Sequence, residues 1–374
     1  MIEERAYWLA WSQLYRVGPI LIKRLHSHFG SLGTAWEAPP PDLMMVDGIG
    51  IKLAEGIASQ RRSLDPAQIL AQQQGHFWTP ADAEYPTLLF EICDPPPVLY
   101  YKGRTELIWR VGQNFSVGIV GTRSPTDYGR RWTRQIVRQL VQQDSLIVSG
   151  LARGIDQSAH EATLYHRGQT IAVLGTGVDV VYPTSNRYLY DQIAESGLLV
   201  SEYPDGTPPD RTHFPQRNRI IAGLSQAVVV TEAPERSGAL ITAHLANDYG
   251  RDVYALPGSL DNPQIKGCLS LINQGAQMIL NPDTLVREVS PSRSALAQAN
   301  PAQVIPAPAD PAPDLSASLR PIYQAVSVDG IGLDRLVETL SLETGLVLSA
   351  LVQLELMGLV VQLPGMRYQR GQGI

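Results

Sequence analysis

The chain has 374 residues, of which 44% are hydrophobic and 18% charged; this is a globular composition, long enough for two or three domains. A net charge of −6 argues against a molecule that gathers nucleic acid by its summed field, so any such site must be a local patch. Two distant cysteines, Cys93 and Cys268, argue against a disulfide framework or a Cys-rich zinc site and for a reducing, cytoplasmic setting.

The acidic start, Met1-Ile2-Glu3-Glu4-Arg5, lacks the basic region and apolar core of a signal peptide, and no apolar run reaches the ~18 residues of a membrane span. Apolar positions then recur at helical intervals through Tyr7, Leu9, Leu14, Val17, Leu21, Leu25 and Phe29, which predicts an N-terminal helical domain over 1–78. Within it, Val46-Asp47-Gly48-Ile49-Gly50 before a helical run suits the turn of a helix-hairpin-helix (SAM-like) element, whose helix-start N–H groups can meet a phosphate. An ordinary glycine turn in a small bundle fits as well, since Lys52 is flanked by Asp47 and Glu55.

Over 79–290 short apolar runs alternate with helical stretches. Val117–Val120, Leu146–Val148, Ile171–Leu174, Ala227–Val230 and Val253–Leu256 read as strands buried on both faces, with helices expected at Asp127–Gln143, Asp156–Arg167, Arg187–Glu195 and Ala239–Tyr249. That alternation predicts an α/β core, an extended Rossmann-like parallel sheet covered on both sides. An Ala/Pro-rich tether is expected over 291–314, with prolines at 291, 301, 306, 308, 311 and 313. Three helices and a strand pair about Pro364-Gly365 then outline a winged-helix-like domain over 315–374, too acidic to grip duplex DNA by charge.

In open parallel sheets ligands bind beyond the carboxyl ends of the strands. The loops expected there are Gly121-Thr122-Arg123, Ser149-Gly150-Leu151-Ala152-Arg153-Gly154, Gly175-Thr176-Gly177 and Arg236-Ser237-Gly238, joined by Arg211-Thr212-His213-Phe214-Pro215-Gln216-Arg217-Asn218-Arg219. Ser124, Pro125 and Asp127 read as a capping box opening the first helix, beside the Arg123 fork. Small-residue loops with arginine on one rim make an anion cradle, and eight cations between Lys102 and Arg138 against Glu106 and Asp127 form the local patch. No Gly-x-Gly-x-x-Gly or Walker motif follows the first strand, which disfavours a dinucleotide and an ATPase. Arginine with Phe214, and with Tyr128 or Tyr182, suits unpaired bases that stack while cations follow phosphates.

Catalytic signals are thin. His160 and Glu161 are adjacent on a helix and diverge, so His160 reads as structural; Asp156, Asp179 and Glu232 read as loop caps and arginine partners. No carboxylate–histidine spacing suggests a metal, and no cofactor is expected.

Ile119-Val120-Gly121-Thr122-Arg123, Ser149 to Asp156 with Ala159-His160, Thr170 to Gly177, Phe214 to Ser225, Ser237 to Ala243 and Leu256-Pro257-Gly258 together resemble the DNA-processing protein A family (DprA, also called Smf), over about residues 80–285. The resemblance implies a non-enzymatic protein that binds single-stranded DNA, protects incoming strands in natural transformation and loads the RecA recombinase, acting as a homodimer and not at a membrane. It assigns the DNA pocket to Arg123, Arg211, Phe214, Arg217, Asn218 and Arg219. With the rim loops, the expected site adds Gly121, Thr122, Ser149, Gly150, Arg153, Gly154, Ser237 and Gly238. Where relatives often carry Asn, this chain has Leu269. The alternative, a nucleotide-binding enzyme like the nucleoside-monophosphate phosphoribohydrolases, expects Pro-Gly-Gly-x-Gly-Thr-x-x-Glu where this chain reads Glu232-Ala233-Pro234-Glu235-Arg236-Ser237-Gly238.

Overall fold

A computed structural model describes residues 2–73, 75–113, 115–289, 319–326, 331–340, 342, 344–357, 359–363 and 367–370. The tether expected over 291–314 and the turn at Pro364-Gly365 lie outside the described residues. The chain forms two compact units, Met1–Ala297 and Gln298–Ile374.

The first unit is built on a nine-stranded sheet. Its strands are β1 (Phe77–Trp78), β2 (Leu99–Gly103), β3 (Ser116–Gly121), β4 (Leu146–Ser149), β5 (Gln169–Val173), β6 (Leu198–Ser201), β7 (Ala227–Glu232), β8 (Asp252–Ala255) and β9 (Gln277–Met278). They run in the order β1-β2-β6-β5-β4-β3-β7-β8-β9. From β3 to β9 every pairing is parallel, while β2 meets β6, and β1 meets β2, antiparallel. The central strands are hydrophobic on both faces because helices cover both. Val120, Val148, Val173, Val228 and Val230 pack on one side, whereas Val117, Ile119, Ile147 and Val229 pack on the other.

The helices of this unit begin with α1 (Glu4–Ser12), α2 (Pro19–Phe29), α3 (Leu32–Glu37), α4 (Pro40–Leu43), α5 (Ile51–Arg61), α6 (Pro66–Gln72) and α7 (Thr87–Phe90). Around the sheet lie α8 (Asp127–Gln142), α9 (Ile155–Tyr165), α10 (Arg187–Ser196), α11 (His213–Gly223), α12 (Gly238–Asp248), α13 (Lys266–Asn273) and α14 (Pro282–Val289). The four helices expected between the strands are present, with ends shifted by one or two residues.

Helices α1 to α6 enclose their own core of Trp8, Trp11, Leu25, Leu32, Trp36, Leu43 and Ile57. That core is joined to the sheet: Phe90 packs against it, and Lys23 Nζ donates to the Phe90 and Ile92 carbonyls at 2.8 and 2.7 Å. The glycine turn stands where the spacing puts it, with Gly48 at φ +92° and Gly50 as the residue before α5.

The strand order sets the place of the crevice. From β3 the chain steps outward through β4 and β5 to β6, then returns so that β7 pairs with the other side of β3. Helix α8 leaves β3 toward one face, its Ile136, Val137 and Leu140 in one cluster. Helix α12 leaves β7 toward the opposite face, its Ala239, Ala243 and Ala246 in the other. Between the carboxyl ends of β3 and β7 the connections part, which opens a cleft there.

In the second unit, helices Arg320–Ala325, Leu333–Leu340 and Thr344–Leu356 gather Ile322, Leu336, Val347, Leu351 and Leu354 around a small core. A three-stranded antiparallel sheet closes it. Sequence reading expects a strand pair, Leu359–Leu363 and a partner after the turn; the structure has Val360–Leu363 with Arg367–Arg370 and adds Ile331–Gly332 on the outer side of the latter strand, a strand two residues long and too short for periodicity to show.

Candidate nucleic-acid interface

The loop after β3 is held from below. The Glu232 carboxylate at the end of β7 accepts Thr126 N–H and Thr126 Oγ1–H, both at 2.7 Å, and the Thr122 amide donates to the Glu232 carbonyl at 2.7 Å. Thr126, not Ser124, caps α8, its hydroxyl oxygen accepting Gly129 N–H at 3.3 Å. The capping box expected at Ser124 is therefore shifted by two residues, because Glu232 from a distant strand positions the Thr126 hydroxyl. Gly154, at φ +87°, lies so close beneath this loop that a Cβ there would stand 2.4 Å from the Thr122 carbonyl oxygen. Arg123 is thus carried on a fixed loop.

Arg217 crosses the floor of the cleft. Its side chain is 3% exposed and donates to the Gly150 carbonyl at 2.6 Å and to the Val173 carbonyl, tying the end of β5 to the loop after β4. Burial draws its pKa down to about 10, against the opposing pull of the Asp156 carboxylate. Gly150 leaves room for it; an added Cβ would sit 2.2 Å from Arg217 Nη1. Asp156 in turn accepts the Gly150 and Ala152 amides at 3.2 and 3.4 Å. Burial raises its carboxyl pKa, while Arg217 and those amides work in the other direction.

Above this floor the aromatic and cationic groups stack. Arg123 Cζ lies 5.4 Å from the Phe214 ring centroid, and the Phe214 ring stacks on Tyr182 at 5.3 Å with 30° between planes. Gly175 admits the ring, since a Cβ there would meet Phe214 Cδ1 at 2.9 Å. Arg123, Ala152, Tyr182, Phe214 and Arg217 border two adjoining cavities. The larger, of about 630 Å³, extends between α11 and α12 to Arg211, Asn218, Arg236, Ser237, Gly238 and Thr242. The smaller, of about 450 Å³, extends to Gly150, Arg153, Gly175, Thr176 and Thr184. Among the described residues, Thr242 Oγ1 and Arg217 Nε are buried without a hydrogen-bond partner.

Of the expected site residues, Gly121, Thr122, Arg123, Gly150, Arg153, Arg211, Phe214, Arg217, Asn218, Ser237 and Gly238 line these two cavities. Three stand apart. Ser149 is buried and donates to the Ile119 carbonyl at 2.6 Å, and Gly154 supports the loop from beneath. Arg219 points to the other side of α11, two residues on and so about 200° around the helix. There it donates to both Glu202 carboxylate oxygens, at 3.1 and 2.7 Å, and pairs with Asp94 at 3.2 Å. Tyr128 is also away from the cleft, its hydroxyl donating to the Pro257 carbonyl, so Tyr182 is the stacking tyrosine. Leu269 packs against the core. Thr242 and Arg236 are lining residues not among the expected site residues; each had a signal, Arg236 beside Ser237-Gly238 and Thr242 within the Ser237 to Ala243 stretch.

The cations expected as one patch from Lys102 to Arg138 are dispersed. Only Arg123 of the eight borders the cavities. Arg104 pairs with Glu106 and Arg110 with Asp144, and Lys102 donates to the Tyr190 hydroxyl at 3.3 Å. Arg130, Arg131, Arg134 and Arg138 are exposed along α8.

His160 is fully buried beneath β5. Thr170 Oγ1 donates to the Ile147 carbonyl at 2.9 Å, so it accepts from His160 Nδ1–H at 2.7 Å, which leaves the lone pair on Nε2. Burial first, and the Arg217 charge second, lower its pKa to about 3, so the ring is neutral. Asp179 accepts the Gly206 amide at 2.8 Å. The rim carboxylates therefore hold amides and hydroxyls, and no group of three or more His, Cys, Asp or Glu among the described residues is placed to hold a metal.

The model for DNA recombination-mediator protein A matches residues 76–290, and that for the DprA winged helix domain matches 306–366. Protein Smf of Synechocystis is 48% identical, over 98% of this chain and 99% of its own length. DNA processing protein DprA of Bacillus subtilis is 43% identical over 55% of this chain and 68% of its own. Among solved structures, DNA processing protein A from Streptococcus pneumoniae superimposes with a TM-score of 0.66 at 35% identity, covering 77% of this chain and 98% of that one. A second, from Helicobacter pylori, described for its single-stranded DNA binding mode, gives a TM-score of 0.53 at 32% identity over 59% of this chain and 98% of that one. A Rossmann-like sheet with its cleft at the reversal of strand order and a C-terminal winged helix domain complete the picture: the chain belongs to the DNA recombination-mediator protein A family, DprA or Smf.

Proposed function

We propose that this protein binds single-stranded DNA in the paired cavities at the carboxyl ends of β3 and β7. The observation that carries the reading is the layered group of Arg123, Phe214 and Tyr182 between the two cavities. An unpaired base can stack on such a surface, at ~1–3 kcal/mol per base, while guanidinium groups follow the phosphates; a duplex presents no free base face. Arg211, Arg236 and Arg153 at the margins supply those groups, and Asn218 with Ser237 adds neutral donors. The solved Helicobacter pylori relative is described for its single-stranded DNA binding mode, which supports a single strand as the ligand here.

A mobility-shift comparison of single-stranded with duplex DNA of one sequence, across a salt series, tests the reading. Tighter retention of the single strand, weakening as salt rises, is the expected result. Equal or stronger retention of the duplex removes it.

In its finer form the reading has the bound strand protected during natural transformation and passed to RecA, by a cytoplasmic homodimer without turnover. Faster RecA filament growth on a strand coated with this protein tests the transfer, and light scattering at micromolar concentration tests the dimer. The domain limits we assign are 1–78, 79–290 and 315–374, joined by 291–314. Among the described residues no helix is long and apolar enough to cross a membrane. A hydrolase acting on nucleoside monophosphates has less support, because Asp156 and Glu232 are engaged with amides and hydroxyls; release of free base on prolonged incubation is the result that favours it.

A further inference from the structure

Helix α8 starts at the rim and runs away from it along the flank of the sheet. Its sequence, DYGRRWTRQIVRQLVQ, holds four arginines and one acid, in a chain whose net charge is −6. Gly129, Thr133, Ile136, Val137 and Leu140 face the core. Arg130, Arg134 and Arg138 recur every fourth residue on the opposite face, with Arg131 beside them, and all four are exposed. Among the described residues none of the four pairs with a carboxylate; Arg130 donates to the Pro125 carbonyl at 3.2 Å, and Arg131 lies 5.9 Å from the Tyr128 ring centroid. By contrast the exposed Arg104 and the half-buried Arg110 are both ion-paired.

Like charges every turn of one helix repel, at some cost in stability. A row of cations that, among the described residues, no carboxylate pairs with fits a polyanion laid along it. At ~1.5 Å rise per residue, Arg130 to Arg138 covers ~12 Å, the reach of a few phosphates. The row also adjoins the cleft: only Ser124 to Thr126 separate Arg123, which borders both cavities, from the start of α8.

We propose that the arginine face of α8 is a second, sequence-independent contact for the same strand, holding the phosphodiester backbone where it leaves the cleft and running down the flank of the core. This rests on the single-strand reading above. A point-charge track of this kind reads no bases, so it adds affinity only for strands long enough to reach it.

The test uses the full chain and two oligothymidylate probes, one of about 6 nucleotides that fills the cleft and one of about 25 that extends past it. The variant carries R130A, R131A, R134A and R138A together; alanine and arginine have similar helix propensity, and an unchanged melting curve confirms that the fold holds. We expect the short probe to bind within about twofold of the parent and the long probe to lose tenfold or more. The slope of log affinity against log salt should fall by roughly 0.7 for each phosphate contact removed. Lysine at all four positions should restore most of the loss, because a phosphate accepts either cation. Unchanged long-probe affinity and slope overturn the track and leave the cleft standing, in which case the face serves another occupant such as an acidic protein. Equal losses for both probes also overturn it, as a general field effect. Should neither probe bind the parent chain, the cleft reading fails first and this one with it.

Discussion

Two arginines two residues apart on α11 have opposite surroundings. Arg217 is 3% exposed and Arg219 6%, so burial does not separate them. Arg219 meets two carboxylates, Glu202 and Asp94, and is electrically complete. Arg217 has only neutral carbonyls at its nitrogens, with Asp156 acting on it through space and Arg123 opposing. The difference teaches that the depth of a guanidinium says little about ligand binding. What matters is whether its charge is already answered, and on the cleft side of α11 it is answered only in part.

Arg219→Ala should have the largest effect, on stability alone. It leaves Glu202 and Asp94 facing each other without a cation in a mostly buried place, a loss of ~3–5 kcal/mol that thermal melting reads directly. DNA affinity of the folded fraction should stay within twofold; a large loss of affinity would place Arg219 in the pocket after all. Arg217→Ala should act on both properties, because the guanidinium bridges the Gly150 and Val173 carbonyls and also borders both cavities. About 2–3 kcal/mol of stability and at least 1 kcal/mol of strand affinity should be lost. It is therefore not a clean binding variant.

Arg123→Ala is the clean one. Its group makes no buried bond of that kind, so ~1–3 kcal/mol of affinity should go, by anisotropy at fixed salt, with the melting temperature unmoved. Phe214→Ala should match that loss while leaving the salt slope intact, which separates stacking from charge. The smallest effect concerns His160. Its folded pKa, near 3, lies below the ordinary value of 6.5. The unfolded chain therefore binds the proton that the folded chain refuses, and stability is lost as pH falls below about 6.5. The slope can reach ~1.4 kcal/mol per pH unit, so about 1 kcal/mol should disappear between pH 6.5 and 5.5. His160→Gln should flatten that stretch; an unchanged slope would mean that His160 titrates normally.

Much of the core was legible because burial on both faces writes itself as runs such as Val117–Val120 and Ala227–Val230. The loops at strand ends followed from those runs. What sequence did not carry was set by partners far along the chain. Thr126 displaces Ser124 as the cap because Glu232, 106 residues later, reaches it. Arg219 resembles its neighbour Arg217 until Asp94 and Glu202 are placed beside it. The single patch expected from Lys102 to Arg138 divides because half of its cations follow α8 down the flank. Thr242 stands inside the Ser237 to Ala243 stretch, yet only the meeting of α11 and α12 brings it to the cavity.

The return of the chain from β6 to pair β7 with β3 also governs when a working molecule can exist. Val117 waits for Ala227, so the two banks of the crevice are made at widely separated times during synthesis. Non-local parallel pairing of this kind is slow, because the loop must close before any contact repays it. A nascent chain released before residue 227 holds Arg123 but lacks the bank that β7 and α12 give the larger cavity. Capture of DNA should therefore appear abruptly in refolding, together with closure of the sheet.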